Sequence, residues 1–482
     1  MVRRLRGKTF NKPMSDIKLT FHKYIAIGSV LIVLAMTMLD GTLVNVALPI
    51  FAQEFHVSDS NAVWIVTIYQ LVLTMLMLPL AYIGDLYSYK RNYIFGIAIF
   101  TAGSALCAAS QSFGMMIAAR AAQGFGAALA TSVNVALVRL IYPPETLARG
   151  LAINTMVIAI SSAAGPSLAG IILSSASWHW FFLINLPLGV AAFLMAYKYL
   201  PDNPPKDHKI KPDWLSGVAN VIVFGTIFYA LGNLANSHIL WENILLIVSG
   251  IVVGIFYVRH LHGKELPMFP IDLLHNKLYT LSVITYTCSF VTQCMALIAL
   301  PFLFLNGYKF SELITGLLMT PWPLATMAIS PFAARFIEKH NAGATAAFGM
   351  LVYAIGIGLL LIEPPVGEVA EWDIAWRMAL CGFGFGIFQT QNVYVMISAT
   401  PVSRSGAAGG FQSTARMGAL TFGATLVTLI FAWCSAPTDA GSLSNGAPGV
   451  RVCLYVALFF AVIAGVFSLS RVKSISKAVK TT

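Results

Sequence analysis

Charge is what this 482-residue chain has least of: 10% of its residues are charged, against 58% hydrophobic. So few charges cannot clothe a water-facing surface of this size, which excludes an ordinary soluble globular protein. Acidic residues are scarcer than basic ones, 19 against 30, giving a net charge of +11. Cysteine is limited to six residues, and no Cys/His cluster has metal-ligand spacing. Cys107, Cys288, Cys294 and Cys381 lie in apolar runs and read as small packing residues. Cys434 and Cys453 flank one loop and could bridge in an oxidising compartment. No histidine falls deep in an apolar run, and no glycine-rich loop is built to cradle phosphate, so ATP-driven chemistry lacks support. No cofactor is expected.

What the chain has instead is apolar runs of about twenty residues, each long enough to cross a bilayer as a helix. Fourteen spans are read, starting near Tyr24, Ala62, Tyr93, Met115, Leu151, Phe181, Trp214, Glu242, Tyr279, Leu313, Thr345, Ile374, Gly406 and Arg451. The first follows a basic segment and is too long for a signal-peptide core, with no small-residue cleavage site after it, so it stays as helix 1. Lysine and arginine concentrate in alternate loops beginning with the N-terminus. The other loops hold only Lys309, Arg377 and Arg451, while Arg120 and Arg416 lie within spans. That bias places both termini in the cytoplasm of a multi-pass cell-membrane protein, in the inner membrane if the cell is Gram-negative. It also accounts for the positive charge through anionic headgroups, without nucleic acid.

Two polar stretches, KYLPDNPPKDHKIKPDW (Lys198 to Trp214) and RHLHGKELPMFPIDLLHNK (Arg259 to Lys277), divide the spans into six, two and six. The expected segments are a cytoplasmic N-terminus 1–23, a six-helix bundle 24–199, linkers with two additional helices 200–277, a second bundle 278–470 and a cytoplasmic tail 471–482. PLAYIGDLYSYKR after helix 2 and PFAARFIEKH after helix 10 occupy corresponding places. ARG (148–150) and SRSG (403–406) likewise open helices 5 and 13. Two repeated bundles suggest transport by rocking about a central site.

Within VLIVLAMTMLDGTLVNVALPIF (Val30 to Phe51), Asp40 is the only charge for a whole crossing. A carboxylate at a helix centre costs on the order of 2.5–3.5 kcal/mol on the insertion scale, so it is expected to take up a proton, meet a cation or pair with a buried arginine. Helix 1 runs outward, leaving Asp40 roughly 16 Å from its outer end near Phe51. Helix 4 runs inward, setting Arg120 roughly 7–10 Å below its outer start, within reach of the carboxylate. Burial penalises the charge at Asp40 and the cation offsets that penalty; a balance that changes as the site opens to either side can load and release protons. A permanent ion pair fixing helices 1 and 4 is the alternative.

Several motifs fall in order on these helices. MLDGTLVNVALP (Met38 to Pro49) resembles the helix 1 signature of the fourteen-helix drug:proton antiporters of the major facilitator superfamily. AYIGDLYSYKR (Ala81 to Arg91) resembles the superfamily's loop 2–3 motif at Gly84, Asp85, Lys90 and Arg91; RAAQGFGAAL (Arg120 to Leu129) resembles the helix 4 motif and AAGPSLAG (Ala163 to Gly170) the helix 5 antiporter motif. WHWFFLINLPLG (Trp178 to Gly189) is similar to the family's entry into helix 6, and GFGFGIFQTQN (Gly382 to Asn392) and GGFQSTARMGAL (Gly409 to Leu420) match more loosely. Ala81, Leu86, Ser88 and Tyr89 depart from the usual loop 2–3 residues, which weakens the charged lock there or leaves it to Lys90 and Arg91, and Ala169 replaces a usual glycine of the helix 5 motif, loosening close packing only slightly.

The resemblance implies an all-α major facilitator fold, two six-helix bundles plus two additional central helices, and a secondary active transporter rather than an enzyme. It implies proton coupling at Asp40 and Arg120, and conformational gating by Asp85, Lys90, Arg91, Gly165, Pro166 and Gly170. Gly165 and Gly170 remove bulk where helices approach, and Pro166 bends the span. Polar and aromatic residues within spans are the candidate substrate contacts: Trp64, Tyr69, Gln70, Gln123, Asn154, Gln293, Trp322, Gln389, Asn392, Gln412 and Arg416. Arg416 is the only charge read deep in the second bundle, with no acid at its depth, which favours anionic or zwitterionic substrates. The expected function is proton-coupled export of small amphipathic organic compounds, drugs or toxic compounds among them, by a monomer in the lipid bilayer. A dedicated exporter of one metabolite, an uptake symporter and a non-transporting membrane sensor are the alternatives; accessory export partners stay open.

Overall fold

The computed structural model describes residues 14–143, 146–202, 213–234, 240–261, 271–337, 342–362, 371–400, 405–434 and 447–479. The extreme N-terminus, most of both polar linkers, Ser403, Arg404 and the last three residues lie outside the described residues. Helices α1 (Met14–Glu54), α2 (Asp59–Leu86), α3 (Tyr89–Ala108), α4 (Phe113–Ser132), α5 (Asn134–Ile141), α6 (Leu147–Ser175), α7 (Trp180–Leu183) and α8 (Asn185–Tyr199) come first. Next are α9 (Trp214–Gly232) and α10 (Leu240–Leu261). The rest are α11 (Ile271–Leu274), α12 (Lys277–Phe302), α13 (Glu312–Met319), α14 (Pro321–Ile337), α15 (Ala342–Leu360), α16 (Glu371–Ser398), α17 (Ser405–Cys434) and α18 (Ala447–Val479). Short polar residues stop the loops and start the helices. Ser58, Ser88, Ser112 and Ser311 each accept a hydrogen bond from a backbone amide three residues on, satisfying a donor that the first helical turn leaves free.

Among the described residues, twelve helical stretches are long and apolar enough to cross a membrane. The helices α3 and α16, both read from the sequence as spans, are not among those twelve. Both are rich in glycine and small or polar residues, and these face other helices at short range. A Cβ placed on Gly126 of α4 would lie 2.3 Å from the Phe100 amide nitrogen of α3, and one on Gly384 of α16 would lie 2.4 Å from the Tyr353 amide nitrogen of α15. Close backbone approach of this kind holds helices together where no hydrophobic force from water acts.

Most packing falls into two sets of helices. One joins α1, α2, α3, α4, α6 and α8; the other joins α12, α14, α15, α16, α17 and α18. The sets meet where α2 lies along α17, α6 along α13 and α1 along α12. The α9–α10 pair lies against α2 and α17. Asn220 of α9 donates to the Met75 carbonyl of α2 at 2.8 Å, and the Asp213 amide donates to the Tyr82 hydroxyl at 3.2 Å. Toward α17, the Phe228 ring of α9 lies 6.3 Å from that of Phe422.

The end of the molecule holding Glu54, Asp59, Ser175 and Glu312 is closed between the two sets. A Cβ on Gly316 would meet the Pro166 carbonyl oxygen at 2.3 Å, and one on Gly170 would meet the Glu312 carbonyl oxygen at 2.8 Å. Ser167 shares a 2.6 Å hydroxyl contact with Thr320 across the same junction, and the Ser60 hydroxyl donates to the Thr428 carbonyl at 2.9 Å. Gly165 lies against α1, where its Cβ would fall 1.9 Å from the Thr42 hydroxyl. Overpacking of a tight contact costs about 1–3 kcal/mol. Gly316→Val is therefore expected to part α6 from α13, and a cysteine introduced at Ser167 should react with a maleimide several-fold faster in that background. Unchanged labelling would show that this junction does not hold the end shut.

Candidate functional site

The centre of the first helix set is a polar network in an apolar shell. On α1, Met36, Leu43, Val44 and Ala47 are buried around Asp40, so the face that packs inward carries the acid with it. On α4, Arg120 and Gln123 lie one turn apart on one face, together with buried Met116 and Ala127. These spacings let two side chains of α4 grip one carboxylate. Arg120 Nη1 donates to Asp40 Oδ2 at 2.6 Å, and Gln123 Nε2 donates to Asp40 Oδ1 at 2.8 Å. Asp40 is 2% exposed, while Arg120 and Gln123 are fully buried.

The second layer fixes that grip. Arg120 Nε donates to the Ile65 carbonyl of α2 at 3.1 Å, and its guanidinium lies 4.3 Å from the centre of the Tyr69 ring. Gln123 Oε1 accepts from Arg120 Nη1 at 2.5 Å, and Gln123 Nε2 also donates to the Ser104 hydroxyl at 2.8 Å. Asn185 of α8 reaches the same hydroxyl at 3.4 Å. Five helices thus converge on one ion pair, yet Arg120 Nη2 and the Tyr69 hydroxyl are buried without a partner among the described residues. Breaking a buried pair by removing one partner costs about 3–5 kcal/mol, because the other charge is stranded.

The remaining candidates distribute over several places. Trp64 faces α9, its ring 5.9 Å from that of Tyr229. Gln70 on α2 is half-buried and Asn154 on α6 is buried, each with a side-chain oxygen that has no partner among the described residues. Trp322 is fully buried in the second set, 5.6 Å from the Tyr353 ring, and Tyr353, Phe385, Phe290 and Tyr286 continue an aromatic chain to α12. Gln412 of α17 donates to the Tyr286 hydroxyl at 3.2 Å. Arg416, one turn further, is half-buried, as are Gln293 and Gln389. Asp85 accepts from the Tyr89 hydroxyl at 2.6 Å, Lys90 approaches Asp202 at 3.8 Å, and Arg91 is exposed. Tyr89, a departure from the loop 2–3 motif, thereby holds the aspartate in place of a charged group. Cys434 and Cys453 are free thiols.

Arg416 is not alone among cations within the second set. Arg471, read from the sequence as the first residue of a tail, is fully buried on α18. It bonds to the Ser282 hydroxyl at 2.8 Å and to Asn392 Oδ1, which ties α18 to α12 and α16. Its position at the end of an apolar run made it look terminal; the helix in fact continues to Val479. Asn392 therefore serves this arginine. Ser104, Asn185 and Gln391, whose Nε2 donates to the Ala333 carbonyl at 2.7 Å, carried no signal beyond polarity within a span.

The ion pair generates a direct test. Arg120→Ala is expected to lower the thermal stability of the detergent-purified protein by several degrees. Adding Asp40→Asn to it should restore much of the loss, since no stranded charge remains. A double variant as unstable as the single one would show that the charge pair is not the source.

A model of the Major Facilitator Superfamily matches residues 30–424. The chain is 41% identical to a transporter of Escherichia coli (strain K12) described as uncharacterized, YebQ, over 92% of this chain and 95% of that one. It is 27% identical to the riboflavin transporter RibZ of Clostridioides difficile (85% and 88% covered) and 28% identical to the multidrug resistance protein Stp of Mycobacterium tuberculosis (84% and 75%). In three dimensions it is similar to a bacterial homolog of the human lysosomal transporter Spinster, with a TM-score of 0.66 at 12% identity, covering 95% of this chain and 98% of that one. That likeness shows the fold. An all-helical chain with this packing, matched by the family model over most of its length, belongs to the Major Facilitator Superfamily.

Proposed function

We propose that this membrane transporter is a proton-coupled antiporter that exports small amphipathic organic compounds, with Asp40 as the site that takes up and releases the coupling proton. The observation that carries the reading is the fully enclosed Asp40–Arg120–Gln123 cluster. A buried charge pair is weak support for stability, because desolvation consumes most of the Coulombic gain. It suits a group that alternates between a paired carboxylate and a neutral acid. The similarity to a multidrug resistance protein supports a drug-like cargo, and the similarity to a riboflavin transporter keeps a single metabolite as the second reading.

With both termini cytoplasmic, the closed junction at Gly170 and Gly316 lies at the exterior, and Gly165, Pro166 and Gly170 form the outer gate. Fourteen spans follow if α3 and α16 also cross. Their lengths, 20 and 28 residues, are sufficient at 1.5 Å per residue. Protein-facing glycines in place of lipid-facing aliphatics account for their low hydropathy.

Two measurements test this. Reconstituted Asp40→Asn protein should stay folded and lose export driven by a pH gradient; normal proton-coupled flux would remove Asp40 from the mechanism. Cysteines introduced at Tyr87 and Gln111 should be labelled by an impermeant reagent from opposite faces of the membrane. Labelling of both from one face would mean that α3 does not cross.

A further inference from the structure

The charge balance of the helix interiors is uneven. In the first set, Asp40 and Arg120 cancel each other. Apart from Asp40, the acids that open the described spans sit in first turns: Asp59, Glu242, Glu312, Glu371 and Asp373. Arg416 lies about 16 Å along α17 from Ser405, near the middle of that helix. Among the described residues it forms no salt bridge, unlike Arg120 and Arg377. It is half-buried, whereas Arg471 is fully buried and bonded to Ser282, Asn392 and Ser468.

The surroundings of Arg416 are suited to one kind of ligand. Gln412 donates to the Tyr286 hydroxyl of α12 at 3.2 Å, and Arg416 lies one turn beyond Gln412 on the same face of α17. Two turns on along this face a Cβ on Gly423 would touch Cys294 of α12 at 2.8 Å, so the face of α17 that carries Arg416 packs against α12. Beyond Tyr286, the Phe290 ring follows at 4.7 Å and the Phe385 ring 5.2 Å further on. A planar fork of donors, a phenol and an amide at one end, with aromatic edges leading away, matches a flat body bearing an anionic head.

We propose that Arg416, Tyr286 and Gln412 form the head-group subsite for an aromatic carboxylate, so that the exported cargo is a planar organic anion. This rests on the exporter reading for the direction of transport alone. The guanidinium pairs with the carboxylate through two parallel N–H···O bonds, and the ligand's ring lies toward Phe290. Asp40, enclosed by Arg120 and Gln123, is left to the proton and does not recruit a cationic cargo.

Purified full-length protein titrated with 2-naphthoate, 2-naphthamide and (2-naphthyl)trimethylammonium tests the assignment, because the three share a ring and differ in charge. The wild type is expected to bind the acid at least tenfold more tightly than the amide, and the ammonium most weakly. Arg416→Gln should bring the acid and the amide within about twofold of each other. Equal or absent binding of the acid by wild type, or an undiminished preference in Arg416→Gln, overturns the proposal. If Arg416→Gln does not purify as a monodisperse protein, Gln412→Glu decides instead: a carboxylate one turn from Arg416 supplies an internal counter-ion and should weaken naphthoate at least tenfold. Unchanged affinity there overturns the proposal equally. Proton-driven efflux of the same probes from proteoliposomes is measured separately, so loss of the exporter reading leaves the binding preference intact, and the reverse.

Discussion

A carboxylate and a guanidinium are buried together in the interior of the first helix set, and much of that set is arranged to keep them together. The arginine cannot be left alone in hydrocarbon, so Ile65, Tyr69 and Gln123 surround it from α2 and α4. Gln123 cannot satisfy both its amide hydrogens on Asp40, so Ser104 and through it Asn185 are drawn in from α3 and α8. Bringing α3 that close to α4 in turn requires that neither helix carry bulk at the crossing, which Gly103 and Gly126 provide. One ion pair thus propagates into sequence constraints on five helices.

Much of this was legible before the fold. The isolation of Asp40, the single arginine in the helix 4 run and their matching depths were sufficient to pair them, because a charge in hydrocarbon has few ways to be satisfied. The small residues of helix 5 were legible for a related reason: a glycine next to a proline inside an apolar run makes sense where another backbone must approach. Helix count was harder. Hydropathy reads the lipid-facing surface, and α3 and α16 direct much of theirs at other helices.

Facing was not legible. Trp64, Trp322 and Asn392 are polar or aromatic residues within spans, the same kind of signal as Tyr69 or Gln412, yet they serve the α9 contact, a closed core and a buried arginine. One sequence fixes how deep a residue lies and leaves its rotation about the helix axis open. Arg471 shows the complementary limit. An arginine at the end of an apolar run reads as the start of a cytoplasmic tail, and only the neighbouring Ser282 and Asn392 reveal that it turns inward.

The hydroxyls at the junction of the two helix sets have a consequence for wear. Thr421 is placed to donate to the Met417 carbonyl of its own helix while it meets the Thr74 hydroxyl, and Thr320 to donate to the Gly316 carbonyl while it meets Ser167. If the sets were to part, each of these threonines could keep its bond to the carbonyl of its own helix. Thr74 and Ser167 can turn back to a carbonyl one helical turn earlier, as Thr67 does toward Val63 at 3.0 Å. The α9–α10 pair is tied to α2 by hydrogen bonds, whereas toward α17 it sets the Phe228 ring against that of Phe422. Parting of the two sets would therefore leave each of these four hydroxyls an acceptor on its own helix inside the bilayer, where water is not available to replace it, like a latch with a spare catch on each side.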